Sequence, residues 1–232
     1  MPRYRSVVLA AACALALAAP ASAAYAATAV HHAAKPVLTV GKKGGPAVRK
    51  RAVLKASLAK GKSAVFALGS FSASCSSSTF QAKVTANPSS RGKATLSLTG
   101  DTMSGCKLKG VSGISLTGVK ALNLPYDLTI SSAKGFPVTI AGRSKARPLG
   151  FQATISVSGD STPVVCVFTA PKAKGSASNK SNEVTISKQK FTLDTKKSSS
   201  LCAEAASSAT FSATYGPIKD TSVKHSPKVF VS

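Results

Sequence analysis

The sequence predicts an all-β protein: an antiparallel β-sandwich or partly closed barrel stapled by two disulfides, with little or no helix beyond an N-terminal export signal. Three observations carry that expectation. Apolar and polar residues alternate with period two in many short runs, each bounded by Gly, Pro, Asn or Ser. No stretch sustains a helical periodicity. Four cysteines, Cys75, Cys106, Cys166 and Cys202, follow a segment built like a secretory signal, which places them in an oxidising compartment.

Arg3 and Arg5 form a short basic region, Val7 to Ala19 is an uncharged apolar run, and small-x-small sites follow at Ala21-Ser22-Ala23 and Ala24-Tyr25-Ala26. These are the three parts of a signal peptide, expected over residues 1–26. The run is too short to span a bilayer, and no later segment is long and apolar enough, so no transmembrane segment is expected in the mature chain. Cys13 lies inside the run, lacks the leucine that precedes a lipid-anchor cysteine, and is expected to leave with the signal. Residues 27–35, with His31 and His32, read as a flexible mature N-terminus, and 36–232 as one β-rich secreted domain. A division into lobes 36–142 and 150–232 about a linker at 143–149 stays open.

From Pro36 the strands follow in order. Leu54, Ala56 and Leu58 alternate with Lys55 and Ser57, and Ala59-Lys60-Gly61-Lys62 turns the chain into Ala64–Leu68. Phe80, Ala82, Val84 and Ala86 alternate with Gln81, Lys83 and Thr85 up to Asn87-Pro88. Leu96 and Leu98 form the apolar face of a strand expected to stop before Gly100-Asp101. Further strands are read at Ile114–Leu116, Leu128–Ile130, Val138–Ile140 and Ala153–Val157, the last ending at Gly159-Asp160. Val184 to Leu193 reads as a longer strand with a bulge near Lys188-Gln189. Phe211, Ala213 and Tyr215 precede Gly216-Pro217, and Val229 to Val231 closes the chain. The best helix candidate, Leu201 to Ser208, is one or two turns.

Four mature cysteines allow three pairings; the local one, Cys75–Cys106 with Cys166–Cys202, is the expected one, each loop contributing roughly 3–4 kcal/mol on the chain-entropy estimate. No C-x2-C spacing occurs and the histidines are only His31, His32 and His225, so no metal and no cofactor are expected.

Lys and Arg number 31 against 7 Asp and Glu, a formal charge of +24, and no acid precedes Asp101. Lys42, Lys43, Arg49, Lys50, Arg51, Lys55, Lys60 and Lys62 are the candidate contacts for a polyanion, such as an anionic cell-wall polymer, an anionic membrane or nucleic acid. Sequence-specific nucleic-acid recognition is disfavoured by the absence of Trp and by Phe residues set in core-like alternations.

Catalytic chemistry finds little support. Asp101 and Asp160 each follow a glycine and read as turn residues, while Asp127, Glu183, Asp194, Glu204 and Asp220 show no paired spacing. There is no Gly-x-Ser-x-Gly elbow and no phosphate-cradling glycine loop. Asn179-Lys180-Ser181 is formally a sequon and reads as part of a polar turn, Ser176–Ser181. Tyr126 in Leu124-Pro125-Tyr126 reads as a buried tyrosine at a strand start.

The alanine-rich signal, Cys75 with Asn87-Pro88 and Cys106, Ala121-Leu122-Asn123-Leu124-Pro125-Tyr126, Cys202 and Phe211-Ser212-Ala213-Thr214-Tyr215-Gly216-Pro217 together resemble a group of secreted actinobacterial, Streptomyces-like, disulfide-containing β proteins. The resemblance spans about 70–230 and implies secretion and a stapled β fold; it carries no activity to any residue. The expected function is therefore a non-catalytic structural or binding role at or outside the cell envelope, by a monomer. A cationic effector that binds polyanions is the alternative, and an extracellular enzyme the second.

Overall fold

A computed structural model describes residues 36–88 and 92–232; the expected signal at 1–26 and the segment 27–35 lie outside the described residues. The chain forms β1 (Leu38–Val40), β2 (Val53–Ser57), β3 (Ala64–Leu68), β4 (Phe71–Ala86), β5 (Lys93–Lys109), β6 (Ile114–Leu122), β7 (Tyr126–Ser131) and β8 (Pro137–Ala141). It continues through β9 (Leu149–Val157), β10 (Val164–Ala170), β11 (Lys172–Ser178), β12 (Glu183–Leu193), the short helix α1 (Ser200–Ala205), β13 (Ser208–Tyr215), β14 (Lys219–Asp220) and β15 (Val229–Val231). All the strand pairings are antiparallel.

Eight strands close on themselves in the order β5-β7-β8-β11-β12-β13-β3-β4, with β4 returning to β5. The expected sandwich or partly closed barrel is thus a closed barrel, and closure removes the strand edges of this wall. Its wall is shared between two storeys. The first half of β5 pairs with β7, from Lys93↔Ser131 to Leu98↔Tyr126, whereas beyond it Thr102 pairs with Lys120 of β6. The first half of β12 likewise pairs with β11 and its last residues with β10, through Phe168↔Leu193 and Thr169↔Thr192. The arc β6-β9-β10 therefore spans from β5 to β12 beside β7-β8-β11. Strands from both sequence halves build each storey.

The long strands carry the departures from the sequence expectations. β5 does not stop at Gly100-Asp101. It runs on to Lys109, because a bulge absorbs Thr99: Ala82 faces Leu98 while Gln81 faces Gly100. One extra residue moves the inward phase from Ala94, Leu96 and Leu98 to Asp101 and Met103. Asp101 is consequently a wall residue facing the interior, not a turn residue. A second change of phase occurs where β4 exposes Ser76-Ser77 and β5 exposes Ser104-Gly105 side by side, so pairing stays in register. Gly105 holds φ +60, and a Cβ there would collide with the Ser76 hydroxyl. The polar turn read at Ser176–Ser181 is also corrected: β11 extends through Ser178, and the turn occupies 179–182. The bulge expected near Lys188-Gln189 is present, between Ile186 and Gln189.

The interior is one apolar cluster. Phe66, Phe151, Phe168, Phe191 and Phe211 pack together at centroid separations of 4.4–5.3 Å, dividing the inside of one storey from the other. Cys75–Cys106 ties β4 to β5, and Cys166–Cys202 ties β10 to α1. Both staples belong to the storey of β6-β9-β10.

The opposite end is closed by a separate two-stranded ribbon, β1 with β15. On each outer edge of this ribbon an asparagine amide pairs with the main chain of one residue, beside backbone bonds from the 46–48 segment to β1 and from Ile218 to Val229. Asn87 accepts the Leu38 N–H at 2.8 Å and donates to the Leu38 carbonyl at 2.8 Å and to the Val48 carbonyl at 2.9 Å. Asn179 accepts the Val231 N–H at 2.9 Å and donates to the Val231 carbonyl at 2.6 Å. The sequon asparagine is thus spent on the fold, through both atoms of its amide.

Candidate functional site

Two places concentrate chemistry: a carboxyl inside the barrel and a row of lysines outside it. Inside, Asp101 of β5 stands opposite Phe80 of β4. Ser78 donates to its carboxylate at a long 3.4 Å and shares a shorter bond, 2.9 Å, with the Tyr215 hydroxyl of β13. The Phe80 ring meets Tyr215 edge-on at 5.2 Å. Tyr126, 2% exposed at the start of β7, hydrogen-bonds the Leu122 carbonyl and the Gly150 carbonyl at 2.9 Å and accepts the Gly150 N–H at 3.2 Å. It is the buried strand-start tyrosine that the sequence suggests.

Burial dominates the electrostatics here. It pushes the Asp101 carboxyl up to about 7, against a small opposing effect of the Ser78 hydrogen bond. Tyr126 is pushed up to about 12 and Tyr215 is also raised, in both cases first by burial and with the Asp101 charge adding to it. Asp101 is half-buried and is one of the residues lining an apolar cavity of about 100 Å3. A smaller space of about 40 Å3 lies in the other storey, beyond the shared wall of Phe66 and Phe151.

Outside, long-range pairing assembles what the sequence scatters. Lys55 of β2 is directly opposite Lys219 of β14, and Lys219 is opposite Lys228. Directly opposed residues of antiparallel strands project to the same face, so three exposed lysines form a transverse row. Lys83 on β4 is exposed on the adjoining strand, opposite Val53. The turn holding Lys42 and Lys43 joins the same region, since the Gly41 N–H donates to the Lys228 carbonyl at 2.8 Å. Arg49, Lys50 and Arg51 occupy the turn before β2, with the Arg51 N–H on the Val84 carbonyl at 2.8 Å, and Lys60 and Lys62 the turn after it. All eight bases of the run 42–62 are exposed. Lys107 and Lys109 lie elsewhere, opposite Ser74 and Ser72 in the disulfide-bearing storey.

The acids do little to offset this surface. Among the described residues the ion pairs are Arg143–Asp127 at 3.6 Å and Lys197–Asp194 at 3.2 Å. Asp101 lines the cavity and Asp220 is buried, the latter accepting the Ser222 N–H at 2.9 Å, and Asp160 accepts that of Thr162 at 2.8 Å. His225 is exposed in the turn before β15. Among the described residues no three His, Cys, Asp or Glu side chains gather as a metal site, and no helix is long and apolar enough to cross a membrane. Comparison with protein-family models, curated proteins and solved structures gives no match.

Lys219, Lys228 and Asp101 were not legible as site residues. Lys219 and Lys55 are 164 positions apart in the sequence, and only the β2–β14 ladder unites them. Asp101 carried a turn signature, Gly-Asp, that a bulge shares.

Proposed function

We propose that this is a secreted, non-catalytic barrel protein that works by binding anionic polymer at or outside the cell envelope. The observation that carries this reading is the row Lys55–Lys219–Lys228. Like charges directly opposite on neighbouring strands are destabilising, and no carboxylate pairs with these three lysines among the described residues. A polymer with phosphate or carboxylate groups relieves that repulsion, so the row gains on binding what it costs in the free protein. The turns bearing Lys42, Lys43 and Arg49–Arg51 extend the same positive field, which steers polyanions over about a Debye length.

The test offers the disulfide-intact chain to wall fragments, anionic vesicles and DNA over a salt series. Retention at low salt that weakens steeply with added salt is expected, with the wall fragments as the preferred target. Absence of retention on all three at low salt would remove the reading.

A further inference from the structure

We propose that the storey built on β7-β8-β11 holds a second, internal binding site for a short primary alkylamine, whose ammonium is received by Asp101. The geometry is that of a pocket for an apolar tail with one polar anchor. The cavity wall is made of aliphatic and aromatic side chains such as Leu98, Leu128, Ile140, Ile186 and Phe80, and Asp101 is the one carboxylate among its lining residues. Small-molecule sites follow this plan, with burial giving affinity and a few polar groups giving orientation.

The carboxylate is under-used in the protein itself. A carboxylate has about four acceptor positions, whereas Asp101 receives a single long bond from Ser78, whose stronger partner is Tyr215. The titratable groups facing it from the neighbouring strands are the phenols of Tyr126 and Tyr215, and neither brings a positive charge. An ammonium supplies the missing donors and the missing charge together. The volume, about 100 Å3, is smaller than the ~150 Å3 that accommodates benzene, so the tail is limited to about four carbons. Access needs no break in the barrel ladder. Leu38, Val229 and Val231 also line the cavity, and the β1–β15 ribbon that carries them is a sheet separate from the barrel wall, held by Asn87, Asn179 and loop backbone bonds such as Val229 N–H to the Ile218 carbonyl.

Protonation couples to the site in a defined direction. With Asp101 raised to about 7, an ammonium entering at lower pH must displace the carboxyl proton, so affinity rises as pH increases towards 7.

The experiment titrates n-butylamine into the full, disulfide-intact chain by calorimetry and by methyl NMR, at about pH 7.5 and about pH 5.5, with n-butanol and butyrate as comparators. Saturable binding in the range of ~0.1–1 mM is expected. Shifts should be confined to the interior methyls of Leu98, Leu128 and Ile140, and the affinity should be about 25-fold weaker at the lower pH. Asp101→Asn keeps shape and removes charge, and should weaken the amine about tenfold or more while leaving n-butanol unchanged. The proposal is overturned if n-butylamine produces no interior shifts at millimolar concentration. It is equally overturned if n-butanol binds as tightly as the amine, or if Asp101→Asn binds the amine as wild type does.

Discussion

Asp101 shows how much a single inserted residue can decide. The bulge at Thr99 turns a Gly-Asp pair away from solvent and leaves a carboxyl inside an apolar wall. The thermodynamic sign follows from its raised pKa. Between about 4 and about 7 the folded protein holds a proton that the unfolded chain has released, so stability is full below the unfolded pKa and falls as pH rises to about 7. The slope contributed by one such group reaches about 1.4 kcal/mol per pH unit. Asp101→Asn should remove that contribution: its urea midpoint is expected to stay nearly level over this interval while that of the wild type falls. A wild-type midpoint that rises from pH 4 to 7 by the same margin in both proteins would contradict the assignment. Tyr126 makes a complementary case. Tyr126→Phe strips the hydroxyl from a buried set of partners, Gly150 and Leu122, and is expected to cost about 1–3 kcal/mol by denaturant melts.

The elements divide into those that close the barrel and those that finish its ends. On the outer edges of the β1–β15 ribbon, Asn87 pairs with the main chain of Leu38 and Asn179 with that of Val231, while segment 46–48, Ile218 and Asn182 serve the other positions. Asn179→Ala leaves the Val231 N–H and carbonyl without these partners and is expected to cost about 1–3 kcal/mol. Hydrogen exchange should show the loss first at Val231, because Asn179 is its edge partner whereas Val229 keeps Ile218 and Asn182; uniform loss of protection across β12 and β13 instead would contradict a local role. The lysine row behaves in the opposite way. Lys219→Thr removes both like-charge pairs of the row and adds a residue suited to strands, and is expected to stabilise the free protein by about 0.2–1 kcal/mol at low salt. The same substitution should weaken polyanion binding. At the far storey, the Cys75–Cys106 and Cys166–Cys202 loops have sequence separations of 31 and 36. Each is expected to contribute roughly 3–4 kcal/mol, which paired Cys→Ala variants measure against the oxidised wild type.

At the scale of the molecule, a stapled closed barrel carries apolar side chains inside and hydroxyls and lysines outside. The alternations Leu54–Ala56, Ala82–Val84, Leu96–Leu98 and Phe211–Tyr215 were readable because each strand buries one face only, which writes period two into the chain. Closure was not readable, since it depends on β13 meeting β3, with Phe211 opposite Phe66, a contact between distant segments. The same limit hid the candidate site. Lys42, Lys43 and Lys55 stood out as a basic run, but their neighbours Lys219 and Lys228 come from the other end of the sequence. Asn87 and Asn179 looked like turn residues because their side-chain bonds to the ribbon leave no local pattern. Local chemistry wrote the strands; long-range pairing wrote the surface.

That surface is open to one direct measurement: the slope of log K against log salt for a phosphate-bearing wall polymer, taken on the wild type and on Lys55→Ser/Lys219→Ser/Lys228→Ser. Each lysine that neutralises a phosphate contributes about 0.7–0.9 to the slope, so the triple variant should bind more weakly and its slope should be shallower by about two units. An unchanged affinity and slope in a folded triple variant would show that the lysine row is not where the polymer binds.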